Sequence, residues 1–309
     1  MTRRRRRCRR LTDKRGMTMG ISSIILCIMI GLSSGLMTYL TASGMSLIVA
    51  GTGNINFGQG AFYIVGAYIC YYVTSAGLPF GVALLVGMLV PGAVGALLEI
   101  VLRPVHGKDM TFSWLIMLGF SYIMCDVLVF ICGYKVRATP IPAFLKGVVR
   151  VESLGLAFPI YYLFTIAISL AIGVILWVVL NYSKLGMYFR AIISDRKMVE
   201  NLGINVNLLY IAMFMIGTGL GGVAGALNAP ISGISPKAGL TVFASVMPAL
   251  QIGGMGNMKG CLPAAATLGV ITGIASLVIP TYYNCVASAC MVVILFFRPH
   301  GLFSKGMEA

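Results

Sequence analysis

Asn54, Asn56 and Gln59 place three carboxamides within the glycine-rich stretch GTGNINFGQG, residues 51–60. Carboxamides are neutral hydrogen-bond donors and acceptors, and glycine lets a backbone approach a ligand or a neighbouring helix closely. The chemistry on offer is recognition without acid–base work. A second break, GGMGNMKG at 253–260, repeats the pattern with Gly253, Gly254, Gly256 and Asn257. Catalytic constellations are missing. His106 and His300 stand apart from any carboxylate cluster, and none of the eight cysteines forms a C-x-x-C pair. No G-x-x-x-x-G-K-[ST] run occurs, so the chain has no nucleotide-binding P-loop of its own. No catalytic residue, metal ligand or bound cofactor is expected. Two acids lie in or near apolar runs. Glu99 has Arg103 four residues on, at a helical pairing distance. Asp126 has no partner within a turn and is expected to fill a structural hydrogen-bonding role.

The elements that position these side chains are membrane helices. Of the 309 residues, 59% are hydrophobic and 10% charged, against about 25% charged in ordinary soluble domains. Mean hydropathy is +0.94, and apolar runs of about 20 residues recur. The spans predicted are 17–39, 41–55, a helix to 74, 80–102, 111–132, 158–180, 208–228, 239–252, 262–279 and 282–297. Segments 41–55 and 239–252 are short enough to be half-spans. The expected fold is therefore an all-α polytopic membrane protein with eight to ten transmembrane or re-entrant helices. Residues 1–16 are expected to be a basic cytosolic tail or, if translation starts at Met17 or Met19, a start-site error, and residues 17–309 a single transmembrane domain. Irregular backbone at membrane depth is tolerated where it is buried in protein or lines an aqueous cavity. That makes Asn54, Asn56, Phe57, Gln59, Gly60, Tyr63, Gly253, Gly254, Gly256 and Asn257 candidates for lining a solute path. Small residues and amides equally serve tight helix packing, and the two roles are compatible.

Between two long apolar spans lies NYSKLGMYFRAIISDRKMVENLGINVN, residues 181–207. Ser194 is placed to cap a short helix, Asp195 to put negative charge in its first turn, and Gly203 to end it. Met198, Val199 and Leu202 give that helix an apolar face. The stretch is either a docking element or a capped connector.

The net charge of +15 is concentrated. Nine of the 23 Lys and Arg residues, with one acid, lie in the first sixteen positions. No aromatic or folded nucleic-acid module accompanies them, so the tail is expected to touch anionic lipid on the cytosolic side. If all ten segments cross and the N-terminus is inside, 18 Lys and Arg lie inside and 5 outside. Without the tail the ratio is 9 to 5. Both termini and 181–207 are then cytoplasmic.

Several stretches together resemble one family. GTGNINFGQGAFYIVGAY (51–68), LGMYFRAIISDRKMVENLGINVNLLY (185–210), GTGLGGVAGAL (217–227), IGGMGNMKG (252–260) and FFRPHGLF (296–303) are similar, in that order, to the Liv-type permeases of branched-chain amino-acid ABC importers. The H-type subunit is the nearer of the two types. Where that family more often reads N-F-A-H-G-E, this chain has Asn56-Phe57-Gly58-Gln59-Gly60-Ala61.

The resemblance implies an importer in the bacterial inner or plasma membrane, moving branched-chain or other small amino acids. Its partners would be a second permease, identical or different, two cytosolic ATPases that bind ATP and magnesium, and an extracytoplasmic solute-binding protein. Residues 181–207 would be the coupling segment, with Arg190, Ala191, Asp195, Arg196, Glu200, Gly203 and Ile204 at the ATPase. The same architecture serves urea, short-amide and sugar importers. An ion-coupled secondary transporter is the remaining alternative.

Overall fold

The computed structural model describes residues 2–105, 109–142, 145–151, 156–279, 282–298 and 301–303; side chains at 2–23, 150, 151, 156, 283 and 284 are not described. His106 and His300 lie outside the described residues, as do the tail's side chains. Eleven helices are present among the described residues: α1 (Thr2–Thr52), α2 (Gln59–Ser75), α3 (Phe80–Leu102), α4 (Met110–Cys132), α5 (Ile160–Tyr182), α6 (Lys184–Ser194), α7 (Arg196–Asn201), α8 (Val206–Asn228), α9 (Gly239–Gly253), α10 (Met258–Val278) and α11 (Tyr283–Phe297). Six are long and apolar enough to cross a membrane: α1 from Ile24, α3, α4, α5, α8 and α10. The shorter α2, α9 and α11 complete the bundle.

The predicted break between 39 and 41 does not occur. The helix runs unbroken from Ile24 to Thr52, about 43 Å at 1.5 Å per residue, enough to cross by itself. Thr41, Ser43 and Gly44 read as a boundary in sequence. In the fold, the two hydroxyls bond back to the carbonyls of Met37 and Leu40, and Gly44 lies against Gly217. Segment 239–252 does appear as the short helix α9. The loop expected at 133–157 contains a hairpin that the sequence reading did not anticipate: β1 (Val148–Val151) pairs antiparallel with β2 (Leu156–Pro159). The loop is tied to the segment after α8 by reciprocal backbone hydrogen bonds between Arg137 and Ile234, 3.1 and 2.8 Å.

α8 is the hub. Its run Gly217–Leu227 is buried throughout, and α1, α2 and α3 pack against it. A methyl group added at Gly66 would overlap the Gly222 backbone, one at Gly44 the Gly217 backbone, and one at Gly95 the Thr218 side chain. The α1–α10 seam is built the same way from Gly31 and Gly35 against Ala265, Gly269 and Gly273. Backbones that close gain dispersion contacts that longer side chains would prevent. Buried hydroxyls and phenols add interhelical bonds: Ser33 with Thr165 at 2.6 Å, Thr218 donating to the Pro91 carbonyl at 3.1 Å, and Tyr161 donating to the Leu227 carbonyl at 2.7 Å.

These seams also fix direction. Gly44 meets Gly217 and Gly51 meets Met213, so α1 runs antiparallel to α8. Gly31 and Gly35 meet Gly269 and Ala265, so α1 is antiparallel to α10 as well. The Ile24 end of α1 therefore sits where α8 and α10 finish, at the opposite end of the bundle from α6 and α7. Leu302 donates to the Ile252 carbonyl at 2.9 Å, near the start of α10. Ile24 and residues 301–303 thus lie at opposite ends of the bundle, because 24–52 forms one crossing where the sequence reading counted two.

Replacing Gly66 by Val forces a branched side chain into the Gly222 backbone and is expected to cost about 1–3 kcal/mol or more. Gly81→Ala, where a methyl group meets open space, should be neutral or slightly stabilising. Thermal unfolding of the detergent-solubilised chain distinguishes the two; equal midpoints would refute the seam.

Candidate functional site: the broken helices and the coupling elbow

The first break is a locked turn. Asn56 is fully buried; its side-chain oxygen accepts from the Gly58 N–H at 3.0 Å, and its amide nitrogen donates to Gln59 Oε1 at 3.1 Å. Gln59, also fully buried, donates from Nε2 to the Gly217 carbonyl at 2.9 Å. Asn54 is buried and its backbone N–H donates to Thr52 Oγ1. Phe57 stacks on Phe243, with ring centroids 4.9 Å apart, and touches Trp114. Gly60 lies against the Gly239 backbone. Gln59 ties the break to α8 and Asn56 braces Gln59, while the Asn54 side-chain oxygen is buried with no hydrogen-bond partner among the described residues.

The second break adjoins the first. Gly253 and Gly260 are in backbone contact, Gly254 and Gly256 take positive φ (91° and 81°), and Gly256 lies beside Ala50 of α1. Asn257 caps α10 by accepting from the Gly260 N–H at 3.4 Å and donates to the Phe303 carbonyl.

Of the predicted path residues, Tyr63 lines a large cavity of about 650 Å³. The cavity lies between α1, α2, α8, α9, α10 and α11. Tyr63 is hydrogen-bonded there to the Asn228 side chain. Hydroxyls of Ser34, Thr38, Thr241, Ser245 and Thr272 also line it, and no Asp, Glu, Lys or Arg does. Such a wall suits a polar solute without net charge, held by hydroxyls and by helix ends rather than by ion pairs. Gly256 and Asn257 line a second cavity, also about 650 Å³, at the other end of the bundle.

Asp126 differs from expectation. It is exposed on α4 among Tyr122, Ile123, Val127 and Phe130, themselves exposed, and no hydrogen bond reaches it among the described residues. Glu99 is fully buried at the end of α3, close enough to Tyr210 to act on it electrostatically.

Residues 183–205 fold as an elbow. Ser183 caps α6, accepting from the Gly186 N–H at 3.2 Å, and Asp195 caps α7, accepting from Met198 N–H at 3.1 Å. The cap of α7 is Asp195, not Ser194 as expected, because α6 extends through Ser194 and the extended Asp195 forms the joint. Gly203 takes φ +78° and ends the element, as expected. On the inner side Phe189, Ile192 and Val199 are buried with Val206, Leu209 and Met213, and Ala191 and Ile204 pack at the edge. Arg190 turns back to donate to the Leu180 carbonyl at the end of α5. Arg196 pairs with Glu200 at 2.9 Å and lies over the Tyr210 ring, 5.5 Å from its centroid. The Glu200 hydrogen bond, first among the causes, raises the Arg196 pKa above its usual value, so the guanidinium stays charged. Arg190, Asp195, Arg196 and Glu200 make these contacts from exposed positions on the elbow's surface.

The outer surface shows what the candidate residues omitted. Met198 and Leu202, four apart on α7, are 62% and 68% exposed. With Leu185, Met187 and Ile193 of α6, also exposed, they give the elbow an apolar outer surface. The 198/199/202 pattern marked these residues as apolar; only the fold shows that Val199 turns inward and the other two outward.

Residues 27–295 match the family model described as the permease component of branched-chain amino acid transport systems. The chain is 27% identical over 290 residues to the high-affinity branched-chain amino acid transport system permease protein BraD of Pseudomonas aeruginosa, covering 89% of this chain and 94% of that protein. It is 24% identical, at the same coverage, to the permease protein LivH of Escherichia coli K12. Among solved structures, PsaBC from Streptococcus pneumoniae in complex with Fab covers 90% of this chain and 92% of that one, at 12% identity and a TM-score of 0.46. With its helical bundle and 269 matched residues, from 27 to 295, the chain belongs to the family of branched-chain amino acid transport permease components.

Proposed function

We propose that this chain is the translocation subunit of an ATP-driven importer for branched-chain amino acids and that α6 and α7 receive force from a cytosolic ATPase. The observation that carries the reading is the exposed Met198–Leu202 pair on an elbow locked to α8 by Val199 and the Arg196–Glu200–Tyr210 contacts. A push on such an element moves α8, and α8 contacts α1, α2 and α3. The relatives' names supply the substrate class, and the uncharged cavity suits a zwitterion with an aliphatic side chain. Two ATPases and an extracytoplasmic binding protein complete the machine. With α6 and α7 in the cytosol, the C-terminal segment is cytosolic and the Ile24 end of α1 is extracytoplasmic. Outside residues 1–16 the basic residues favour this orientation 9 to 5. The nine in that tail fall on the extracytoplasmic side and turn the whole-chain ratio to 9 against 14, so the orientation rests on the elbow's contact with the ATPase.

A second permease covers the α4 face that carries Asp126. A carboxylate within an apolar helix is expensive against lipid and is kept where protein or an aqueous path meets it. Solute would pass through the cavity at Tyr63 and Asn228, with the buried breaks at 51–60 and 253–260 bracing the helices around it.

Met198→Asp and Leu202→Asp each place a charge on the docking face and are expected to lower ATP-driven leucine uptake about ten-fold in proteoliposomes holding the full complex. Membrane insertion and α7 capping should be unaffected. Uptake at the parental rate in both variants would remove the elbow from coupling. Leucine uptake matched by ribose or urea uptake would reassign the substrate.

The α4 face is tested by Ile123→Cys. A membrane-permeant maleimide should label it in the isolated chain and leave it protected in the assembled complex. Equal labelling in both would return that face to the lipid.

A further inference from the structure

The second cavity is a slot between α1, α5, α6 and α10. Leu170, Gly173, Val174, Trp177 and Asn181 line one side at helical spacing, so the slot follows a single face of α5 for about 17 Å. Gly173 lets the Tyr39 ring close the floor. Val174 and Trp177 are half exposed, which opens the slot sideways at the surface of a membrane span. At the elbow end the lining turns cationic: Arg190 and Lys259 stand at the mouth, both exposed, and no acid lines the slot. α10 begins there at Met258, so its positive end adds to the field.

An apolar groove open to the bilayer, with two cations at interface depth and an indole beside them, matches one kind of occupant: a phospholipid with an anionic headgroup. The acyl chain fills the strip beside Leu170 and Val174, and the phosphate meets Arg190 and Lys259. Arg190 has five N–H donors, and its bond to the Leu180 carbonyl leaves others for a phosphate. A soluble peptide would have to lie in lipid to reach Val174, and a zwitterionic amino acid would leave most of the groove empty. We propose that this slot binds an anionic phospholipid of the cytosol-facing leaflet and that the lipid braces α6 against α5 and α10. The leaflet rests on the cytosolic placement of the elbow proposed above; the binding itself does not, and its test needs no transport.

The purified full chain in detergent is titrated with phosphatidylglycerol or phosphatidylcholine and read by native mass spectrometry. Phosphatidylglycerol is expected to bind about ten-fold more tightly, the difference two interfacial cations supply. Arg190→Gln with Lys259→Gln should erase that preference. Val174→Trp, which keeps both cations but fills the groove, should weaken phosphatidylglycerol retention, and Lys237→Gln, outside the slot, should leave it unchanged. Equal binding of the two lipids, or full retention in either slot variant, overturns the proposal. Displacement by millimolar inorganic phosphate also overturns it, since the ligand would then be a soluble anion. The slot variants alter surface positions by different means, so failure of one to fold leaves the other decisive.

Discussion

Close approach of backbones along α8 is the constraint on which the rest depends. A bilayer provides no hydrophobic force between helices, so association relies on packing and on the few hydrogen bonds that small residues permit. Gly217, Gly222 and Gly225 bring α8 against the backbones of α1, α2 and α3. That closeness lets Gln59 reach the Gly217 carbonyl and Thr218 reach the Pro91 carbonyl. The break at 51–60 is therefore a consequence of the seam. α1 and α2 are pinned to one point of α8 by two carboxamides, and the cavity beside Tyr63 lies where those helices diverge.

The elbow rests on the same hub. α7 has six residues, too few to persist alone, and survives on its cap, its Arg196–Glu200 pair and the burial of Val199. The cap is internal to α7; the ion pair reaches α8 through Tyr210, and Val199 packs on α8 directly. An element stabilised in this way cannot be displaced independently of what it rests on. The buried residues of the elbow therefore set its stiffness. Asp195, Arg196 and Glu200, exposed on it, also shape the loop's own geometry through the cap and the ion pair.

Most of the architecture was legible in composition and apolar run length, because a bilayer allows so few spanning structures. Besides the hairpin of β1 and β2 and the inward turn of Val199, three features were not. Thr41, Ser43 and Gly44 resemble a boundary, since hydroxyls and glycine usually weaken helices in water; inside a bundle the hydroxyls bond the preceding turn and glycine packs. Counting that false boundary as a crossing added one span to the sequence reading. Ser194 and Asp195 are both good caps, and which one serves depends on where α6 stops, a tertiary matter. Asp126 was read as an internal hydrogen bonder because its helix neighbours are apolar; its outward direction depends on the rotation of α4 against α3 and α9, which periodicity alone leaves open.

The departure at Gln59 and Ala61 has a physical reading in the same seam. Ala61 is fully buried beside Gly239, and a carboxylate there would need a partner the site lacks room for. An imidazole at 59 would change charge near neutral pH, whereas the Gln59 amide donates to Gly217 and accepts from Asn56 at any pH. In this chain the first break is therefore held by permanent dipoles, and the ionisable group left on a membrane face is Asp126, one helix away, where it answers to whatever covers α4.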